Sequence, residues 1–244
     1  MIGQGTFGLV LLAEYRGTQV AVKRVIPPGT EHDNTQLYLK SEFVAEIRQL
    51  ARLRHPCITT VMGAVMPSRK DDPMLIMEYM RYGSLFDVLQ DDSIVLKPEQ
   101  ILDILKDVAQ GLRFLHSANP PVIHGDLKSQ NVLVDENLCA KVTDFGLSGK
   151  THIGAVGTPF WMSPELLQGN CVNSPESDIY ALGIVIYEIY SGRPPYEGER
   201  YSDVVKQVCN PKINKRPPVP LHCPSKVAKL MNECFARDPL ERPS

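Results

Sequence analysis

Short apolar runs in the first third of the chain predict strands. Leu9–Leu12 and Thr18–Val25 are rich in β-branched and apolar residues, and the turn at Tyr15–Gly17 separates them. Two further strand-like runs follow at Ile58–Val65 and Met74–Tyr79. The front of the chain therefore predicts a small sheet.

One helical stretch interrupts these strand-like runs, between about Thr35 and Arg54. Its apolar residues Phe43, Ile47 and Leu50 recur at the spacing of one helix face. The strand-rich part is therefore expected to contain one main helix.

Beyond Gly83 the periodicity is mostly helical. Apolar residues at 101, 104, 105, 108, 112 and 115 predict an amphipathic helix over Ile101–Leu115. The other predicted elements are the strands Val132–Val134 and Ala140–Val142 and the helices Ile179–Tyr190, Asp203–Val208 and Ser225–Ala236. These patterns predict an α+β fold, with a small β-rich N-terminal lobe and a larger α-helical C-terminal lobe that meet near Met80–Gly83.

The composition is that of an ordinary globular protein. It excludes some classes of function but does not identify one. The 244 residues carry a net charge of −2, so no basic balance points to nucleic acid. The longest apolar stretch, Ile179–Tyr190, contains Glu188 and is too short to span a bilayer. There is no secretory leader pattern and no Cys-x-x-Cys pair. We therefore expect a cytoplasmic protein with reduced thiols, no nucleic-acid partner and no membrane segment in this chain.

Gly3, Gly5 and Gly8 form a Gly-x-Gly-x-x-Gly pattern, which lets backbone amides approach phosphate oxygens. Two arrangements compete for this pattern. A dinucleotide-binding unit needs a helix directly after the glycines and an acidic residue about 20 positions further on. Here apolar and β-branched residues follow, and Lys23 lies where the acid should be, which favours a hairpin over phosphates.

Lys23 lies on a predicted strand, two residues after Ala21. The strand period of two places both side chains on one face, where the small residue leaves room for a flat ring and the lysine can reach phosphate oxygens. A half-buried lysine needs a carboxylate partner. Glu42 and Glu46 lie one helical turn apart, and either could provide it.

A polar run in the middle of the chain contains Asp126, Lys128 and Asn131, and Asp144 follows a short predicted strand pair. Asn131 and Asp144 offer the oxygen ligands that Mg²⁺ prefers. Asp126 can orient a hydroxyl and accept its proton, while Lys128 offsets charge on a transferred group. Each residue alone is typical of a polar turn, but the ordered set favours phosphate-transfer chemistry.

In this order the motifs resemble those of the eukaryotic protein kinase family, and the resemblance covers essentially the whole chain. Gly3–Val10 matches Gly-x-Gly-x-x-Gly-x-Val, His124–Asn131 resembles HRDLKxxN, and Asp144–Gly146 is the DFG triplet. Ser163–Glu165 stands where the family has Ala-Pro-Glu, and Arg242 resembles the arginine that pairs with that glutamate. The resemblance implies a two-lobe protein kinase fold.

The family pattern also implies the domain limits. One kinase domain covers residues 1–244, with an N-lobe over 1–79, a hinge at about 78–83 and a C-lobe over 84–244. Only Met1 and Ile2 precede the first glycine and the chain stops at Ser244, so we expect a domain truncated at both ends.

The resemblance assigns roles around a bound ATP. It selects Glu46 as the partner of Lys23, because the family places that glutamate about nine residues before a His-Pro, which here begins at His55. Met77 becomes the gatekeeper residue behind the adenine pocket. The hinge residues Glu78, Tyr79 and Met80 bind the adenine edge through their backbone, and Val10, Ala21 and Leu133 sandwich the ring. The implied ATP-binding residues are Ile2, Gly3, Gly5, Gly8, Val10, Ala21, Lys23, Glu46, Met77, Glu78, Met80, Leu133 and Asp144; the implied Mg²⁺ ligands are Asn131 and Asp144; and the implied catalytic residues are Asp126, Lys128 and Asn131.

The implied activity is Mg²⁺- and ATP-dependent phosphorylation of Ser and Thr hydroxyls in proteins. Lys128 and the Gly157-Thr158 pair resemble Ser/Thr kinases, whereas the hinge and the Trp-Met-Ser-Pro-Glu segment resemble the tyrosine-kinase-like group of Raf and mixed-lineage kinases. Dual specificity stays open. The alternative is a pseudokinase that binds ATP or acts as a scaffold, and kinase domains of this kind can also dimerise.

One residue departs from the family pattern. Gly125 replaces the arginine that commonly binds a phosphate on the activation segment. We therefore expect activity to depend little on phosphorylation of that segment, whose weak acceptor candidates are Ser148 and Thr151. Thr158 is instead expected to form hydrogen bonds beside Asp126.

Overall fold

The computed structural model describes residues 1–5, 8–25, 47, 52–66, 73–145, 158–169 and 172–244. Most of the predicted helix at Thr35–Arg54, including Glu42 and Glu46, lies outside these residues. Gly146, Ser148, Thr151 and Gly157 lie outside them as well.

The N-terminal lobe is an antiparallel sheet. In the described part of the chain its strands are β1 (Gly3–Gly5), β2 (Gly8–Tyr15), β3 (Thr18–Val25), β4 (Val61–Val65) and β5 (Met74–Glu78). Their order in the sheet is β1-β2-β3-β5-β4. The register sets Val10 opposite Lys23 and Ala21 opposite Met77, so the predicted nucleotide residues share neighbouring strands.

The strand predicted at Ile58–Val65 begins only at Val61, which corrects its first half. Ile58 and Thr59 pair with the other lobe instead. Ile58 forms an isolated bridge to Val142, and the Thr59 amide donates to the Val142 carbonyl at 3.0 Å. The strand predicted at Leu9–Leu12 is longer than expected. The turn at Arg16 and Gly17 lets β2 pair with β3 along its full length.

The C-terminal lobe is mainly helical, with a two-stranded ribbon. Its helices are α1 (Leu85–Gln90), α2 (Pro98–His116), α3 (Pro164–Leu167), α4 (Pro175–Ser191), α5 (Tyr201–Cys209) and α6 (Ser225–Cys234), and its ribbon is β6 (Val132–Val134) with β7 (Ala140–Val142). The ribbon has the predicted bounds, and the four predicted helices are confirmed with shifted ends. The α+β architecture of a small sheet lobe and a larger helical lobe is therefore confirmed.

Sequence periodicity missed the short helices α1 and α3. α1 begins at a capping box in which the Asp87 amide donates to Ser84 Oγ and the Ser84 amide donates to Asp87 Oδ2. Such a box satisfies amides that have no partner inside the helix. The Ser-x-x-Asp spacing is a signal that the sequence does carry.

α4 is the central helix of the C-terminal lobe, and most of its side chains are buried. It packs closely on the end of α6: a Cβ added at Gly183 would lie 2.7 Å from Cε1 of Phe235. Asp178 and Glu188 are charged exceptions in this helix, and each is only 2% exposed. Both carboxylates accept hydrogen bonds from segments that form the candidate site.

Among the described residues, no helix is both long enough and apolar enough to cross a membrane.

Candidate active site

A cavity of about 780 Å³ lies between the sheet and the helical lobe. Its walls come from strands of the N-terminal lobe, from the segment after β5 and from the loops on both sides of the β6–β7 ribbon. The predicted site residues that line it are Ile2, Gly3, Val10, Ala21, Lys23, Met77, Glu78, Met80, Asp126, Lys128, Asn131, Leu133 and Asp144. Gly5 and Gly8 pair with each other at the end of the β1–β2 hairpin. Glu46 lies outside the described residues.

An ion pair joins the two lobes across the cavity. Lys23 Nζ donates to Asp144 Oδ1 at 2.7 Å, and Lys23 is only 4% exposed. Asp144 has a φ of 60°, a conformation that non-glycine residues rarely adopt and that costs energy. The next residue, Phe145, is buried with its ring edge toward His124. The ion pair and the buried ring hold Asp144 at the cavity wall.

Asp126 is surrounded by hydrogen-bond donors. Thr158 donates to Oδ1 from its amide at 2.9 Å and from its hydroxyl at 2.8 Å. Lys128 Nζ donates to Oδ2 at 2.8 Å and to the Thr158 hydroxyl at 2.6 Å. The three residues form a closed triangle, and the predicted position of Thr158 beside Asp126 is confirmed.

Asn131 lies on the same loop and points its amide group back to Asp126. Its Nδ2 donates to the Asp126 carbonyl at 2.7 Å and to Asp126 Oδ2 at 3.2 Å. With the nitrogen committed to Asp126, the Oδ1 oxygen is the atom that can bind a cation. Asn131 is held from behind as well, since its carbonyl accepts the Thr143 amide at 3.0 Å.

Asp178 of α4 fixes the start of this loop. Its Oδ2 accepts the His124 amide at 2.8 Å, and its Oδ1 accepts the Gly125 amide at 2.9 Å. His116 Nε2 lies 2.8 Å from the same Oδ2. Gly125 has a φ of 77°, where glycine carries no steric cost. The carboxylate therefore holds the loop through the Gly125 backbone, although the family arginine is absent. That activity depends little on activation-segment phosphorylation stays a prediction.

His124 is fully buried and neutral. The Asp126 amide donates to its Nδ1 at 3.2 Å, which leaves Nε2 to donate to the Thr143 carbonyl at 2.9 Å. Burial lowers the pKa of His124 below its usual value, against the opposing effect of Asp178 and the other nearby carboxylates. The tautomer with hydrogen on Nε2 satisfies both ring nitrogens.

Glu78 connects the lobes on the side of β5. Lys141 of β7 donates to its Oε2 at 2.6 Å, and the Thr60 amide donates to its Oε1 at 2.6 Å. Its own amide donates to the Thr60 carbonyl at 3.1 Å. Two residues later, the Met80 amide donates to no other group in the part of the chain that the structure describes. Since Met80 lines the cavity, that amide offers a donor at its edge.

The predicted pair between Glu165 and Arg242 is confirmed. Two guanidinium nitrogens donate to the two carboxylate oxygens at 2.7 and 2.9 Å. Burial alone raises the pKa of Glu165, but the hydrogen bonds and charge of Arg242 bring the net value below the ordinary one. This two-point contact fixes the segment that follows Thr158 to the segment that contains Arg242.

Sequence reasoning missed the parts played by Lys141 and Glu188. Lys141 lies 63 positions from Glu78, and Glu188 lies 59 positions from its partner Ser129, so no local pattern joins them. Glu188 does leave one signal, since it is a carboxylate inside the apolar run Ile179–Tyr190. A buried charge of that kind requires partners.

Comparisons with known proteins match the whole chain. A family model described as protein tyrosine and serine/threonine kinase matches residues 1–244. Over 247 residues the chain is 39% identical to the probable serine/threonine-protein kinase drkD of Dictyostelium discoideum and 37% identical to drkA of the same organism. It is 35% identical over 248 residues to the dual specificity protein kinase pyk3, also from that organism.

All of this chain aligns in each of these comparisons, but only part of each relative does. The chain covers 18% of drkD, 37% of drkA and 17% of pyk3. It therefore spans well under half the length of these curated relatives.

Proposed function

Since this chain belongs to the protein tyrosine and serine/threonine kinase family, we propose that it transfers the γ-phosphoryl group of ATP to Ser and Thr hydroxyls of proteins. The observation that carries the proposal is the triangle of Asp126, Lys128 and Thr158, which faces the same cavity as the Lys23–Asp144 pair.

The cavity suits a nucleotide in size and in chemistry. A volume of about 780 Å³ lies within the usual range for small-ligand sites. Val10 and Ala21 on one wall and Leu133 on the other provide apolar surfaces for a flat ring. The free Met80 amide provides a donor for the edge of that ring. Gly3, Gly5 and Gly8 leave the β1–β2 hairpin without side chains that would obstruct phosphates.

The donor set also suits Mg²⁺. Asp144 and Asn131 offer carboxylate and amide oxygens, the hard ligands that this cation takes together with substrate phosphates. Each keeps one oxygen that no described residue occupies, because Lys23 bonds Asp144 Oδ1 and Asn131 uses its nitrogen for Asp126. Bound Mg²⁺ would neutralise charge on the β- and γ-phosphates. Lys23, and Glu46 as its proposed second partner, would position the phosphates.

Asp126 is the proposed proton acceptor. The acceptor hydroxyl loses its proton to this carboxylate as its oxygen bonds to the γ-phosphorus, and the bond from that phosphorus to the β-phosphate oxygen breaks to release ADP. Lys128 offsets charge on the transferred group, and Thr158 holds the carboxylate in place. Such sites act mainly through positioning and charge stabilisation, and kinases turn over at roughly 1–100 per second.

The proposed acceptor is Ser or Thr. The names of the relatives support this choice, since two are probable serine/threonine kinases and one is a dual specificity kinase. Lys128, bonded to both Asp126 and Thr158, is the residue of this site that resembles Ser/Thr kinases.

Label transfer from γ-labelled ATP with Mg²⁺ tests the proposal. Ser/Thr and Tyr peptides are supplied together, and the labelled amino acid is identified after hydrolysis. We expect label on Ser or Thr with the wild type, and none with Asp126→Asn, which keeps the shape of the side chain but is not a base. Label on Tyr alone would contradict the specificity. ATP binding without transfer to any acceptor would favour the pseudokinase.

A further inference from the structure

Glu188 is a buried carboxylate outside the residues assigned to catalysis. It lies in the second half of α4 and is 2% exposed. Charged side chains are almost never buried to this degree without a partner. Yet in the described residues no lysine, arginine or histidine forms an ion pair with it, and its direct polar contacts are hydrogen bonds from neutral groups.

Three donors converge on Glu188 from two separate segments. The Ser129 hydroxyl donates to Oε1 at 2.6 Å, and the Ser129 amide donates to Oε2 at 3.1 Å. The indole Nε1 of Trp161 donates to the same Oε2 at 2.9 Å. Ser129 and Trp161 are both buried, so neither donor can exchange this bond for water.

These two segments carry the groups that hold Asp126. Ser129 directly follows Lys128, and Trp161 closes the short turn Pro159–Trp161 that begins after Thr158. Lys128 and Thr158 approach Asp126 from opposite carboxylate oxygens. One buried carboxylate thus connects the backbones behind both sides of the triangle.

We propose that Glu188 is a positioning residue for the phosphoryl transfer proposed above: it holds the Asp126–Asn131 loop and the Thr158–Trp161 segment in register, so that Asp126 meets the acceptor hydroxyl. This inference rests on the proposed function. Burial raises the pKa of Glu188, and the bonds from Ser129 and Trp161 oppose that rise. The three donors therefore match a carboxylate better than a neutral acid.

Kinetics of three variants test this role. Glu188→Gln places an NH₂ group against donors, Ser129→Ala removes the hydroxyl bond, and Trp161→Phe keeps an aromatic ring but removes the Nε1–H. We expect each variant to lower kcat by about fivefold, less than the roughly tenfold loss of a direct hydrogen bond to a charged group, because Glu188 acts on Asp126 through other residues. The KM for ATP should stay within twofold, because the nucleotide side of the cavity is untouched.

A double-mutant cycle separates positioning from independent local effects. Ser129 and Trp161 meet at one carboxylate, so their effects on kcat should be coupled by about threefold or more. In the Glu188→Gln background that coupling should disappear. Ile184→Val is the matched control, since Ile184 is fully buried in the same helix and has no polar group. It should lower the melting temperature and leave kcat unchanged.

Trp161 also supplies a readout that does not depend on activity, because it is the only tryptophan in the chain. If Glu188 connects the two segments, Ser129→Ala should shift Trp161 emission to longer wavelength and increase its quenching by acrylamide. Ile184→Val should change neither.

The failures of the two proposals are distinguishable. Unchanged Trp161 emission in Ser129→Ala, or a Glu188→Gln kcat within twofold of the wild type, would overturn the positioning role. A loss of kcat that only follows the fall in melting temperature, as calibrated with Ile184→Val, would also overturn it. A wild type that transfers no phosphate would overturn the proposed function itself, whatever the emission shows.

Discussion

The two sides of the cavity are held in place by different forces. The sheet side presents Val10, Ala21 and Met77 as apolar surfaces, and the Lys23–Asp144 ion pair is one of its connections to the other lobe. The loop side is fixed by many directed hydrogen bonds, several of them to the buried carboxylates of α4. Apolar walls tolerate small displacements of a ring, whereas proton and phosphoryl transfer require accurately placed groups.

Nucleotide binding and phosphoryl transfer should therefore respond separately to mutation. Substitutions on the sheet side should act on the affinity for ATP, and substitutions on the loop side should act on turnover. Asp144 is the point where the sides meet and, after Asp126, should be the most sensitive position of the cavity.

Apart from Asp126→Asn, which removes the proposed base, Asp144→Asn is expected to have the largest effect. It removes the charge opposite Lys23 and weakens the oxygen ligand proposed for Mg²⁺. Loss of a preorganised electrostatic group lowers kcat by about 10²–10³-fold, and we expect a fall in that range. Steady-state kinetics at saturating Mg²⁺ and ATP measure it. Asp135→Asn, in the turn of the β6–β7 ribbon, makes the same chemical change away from the cavity. Its kcat should stay within twofold of the wild-type value. Wild-type-like turnover in Asp144→Asn would refute the role given to this carboxylate.

Thr158→Val should have the next largest effect. Valine keeps the shape but removes the hydroxyl that bonds both Asp126 and Lys128, while the backbone amide still donates to Asp126. Loss of one hydrogen bond to a charged group corresponds to about tenfold, and this hydroxyl makes two, so we expect kcat to fall about tenfold or more. Thr158→Ser restores the hydroxyl and should recover most of the activity. Equal activity of the valine and serine variants would mean that the hydroxyl is not needed.

Ala21→Val tests the sheet side. Ala21 is 7% exposed and lines the cavity, so two added methyl groups narrow the space for a ring. Overpacking a closed site costs about 1–3 kcal/mol, and we expect the KM for ATP to rise about fivefold or more with little change in kcat. Ala13→Val on β2, outside the cavity lining, is the matched control. A fall in kcat at unchanged KM would contradict the division between the two sides.

Acidification should lower the free energy of unfolding through a group on the loop side, and this is a smaller effect. The pKa of buried His124 lies below its usual value of 6.5, so below pH 6.5 the unfolded chain takes up a proton that the folded chain does not. Stability from this group is therefore present above pH 6.5 and is lost as the pH falls toward the folded pKa, by at most about 1.4 kcal/mol per pH unit. Denaturant unfolding between pH 7.5 and 5.5 measures the slope.

Substitutions of two histidines test whether His124 causes this dependence of the free energy of unfolding on pH. His124→Gln should flatten it, and His222→Gln, at an exposed position, should leave it unchanged. A slope that persists in His124→Gln would assign the pH dependence to other groups.

Local periodicity predicted more of the fold than of the candidate site. The β6–β7 ribbon and α2 followed from short-range patterns, because strand and helix periods are set by neighbouring residues. Ile58 was misassigned to a strand because its partner, Val142, lies in the other lobe. Glu188 and Lys141 were missed for the same reason, since their hydrogen bonds join residues far apart in the chain.

The candidate site could be predicted as a set of residues but not as an arrangement. Asp126, Lys128, Asn131 and Asp144 stood out because their order resembles a known family. The sequence could not tell that Asp126 is held from both carboxylate oxygens. Nor could it tell that Gly125 keeps the loop attached to Asp178 through its backbone.

The separation of ATP binding from phosphoryl transfer is tested by measuring ATP affinity and phosphoryl transfer on the same preparation of Asp126→Asn, beside the wild type. Removing a general base lowers turnover by about 10²–10⁴-fold, and we predict a loss of that order with a Kd for ATP within twofold of the wild type. Turnover that survives, or ATP binding that is lost together with turnover, would contradict the separation of binding from transfer.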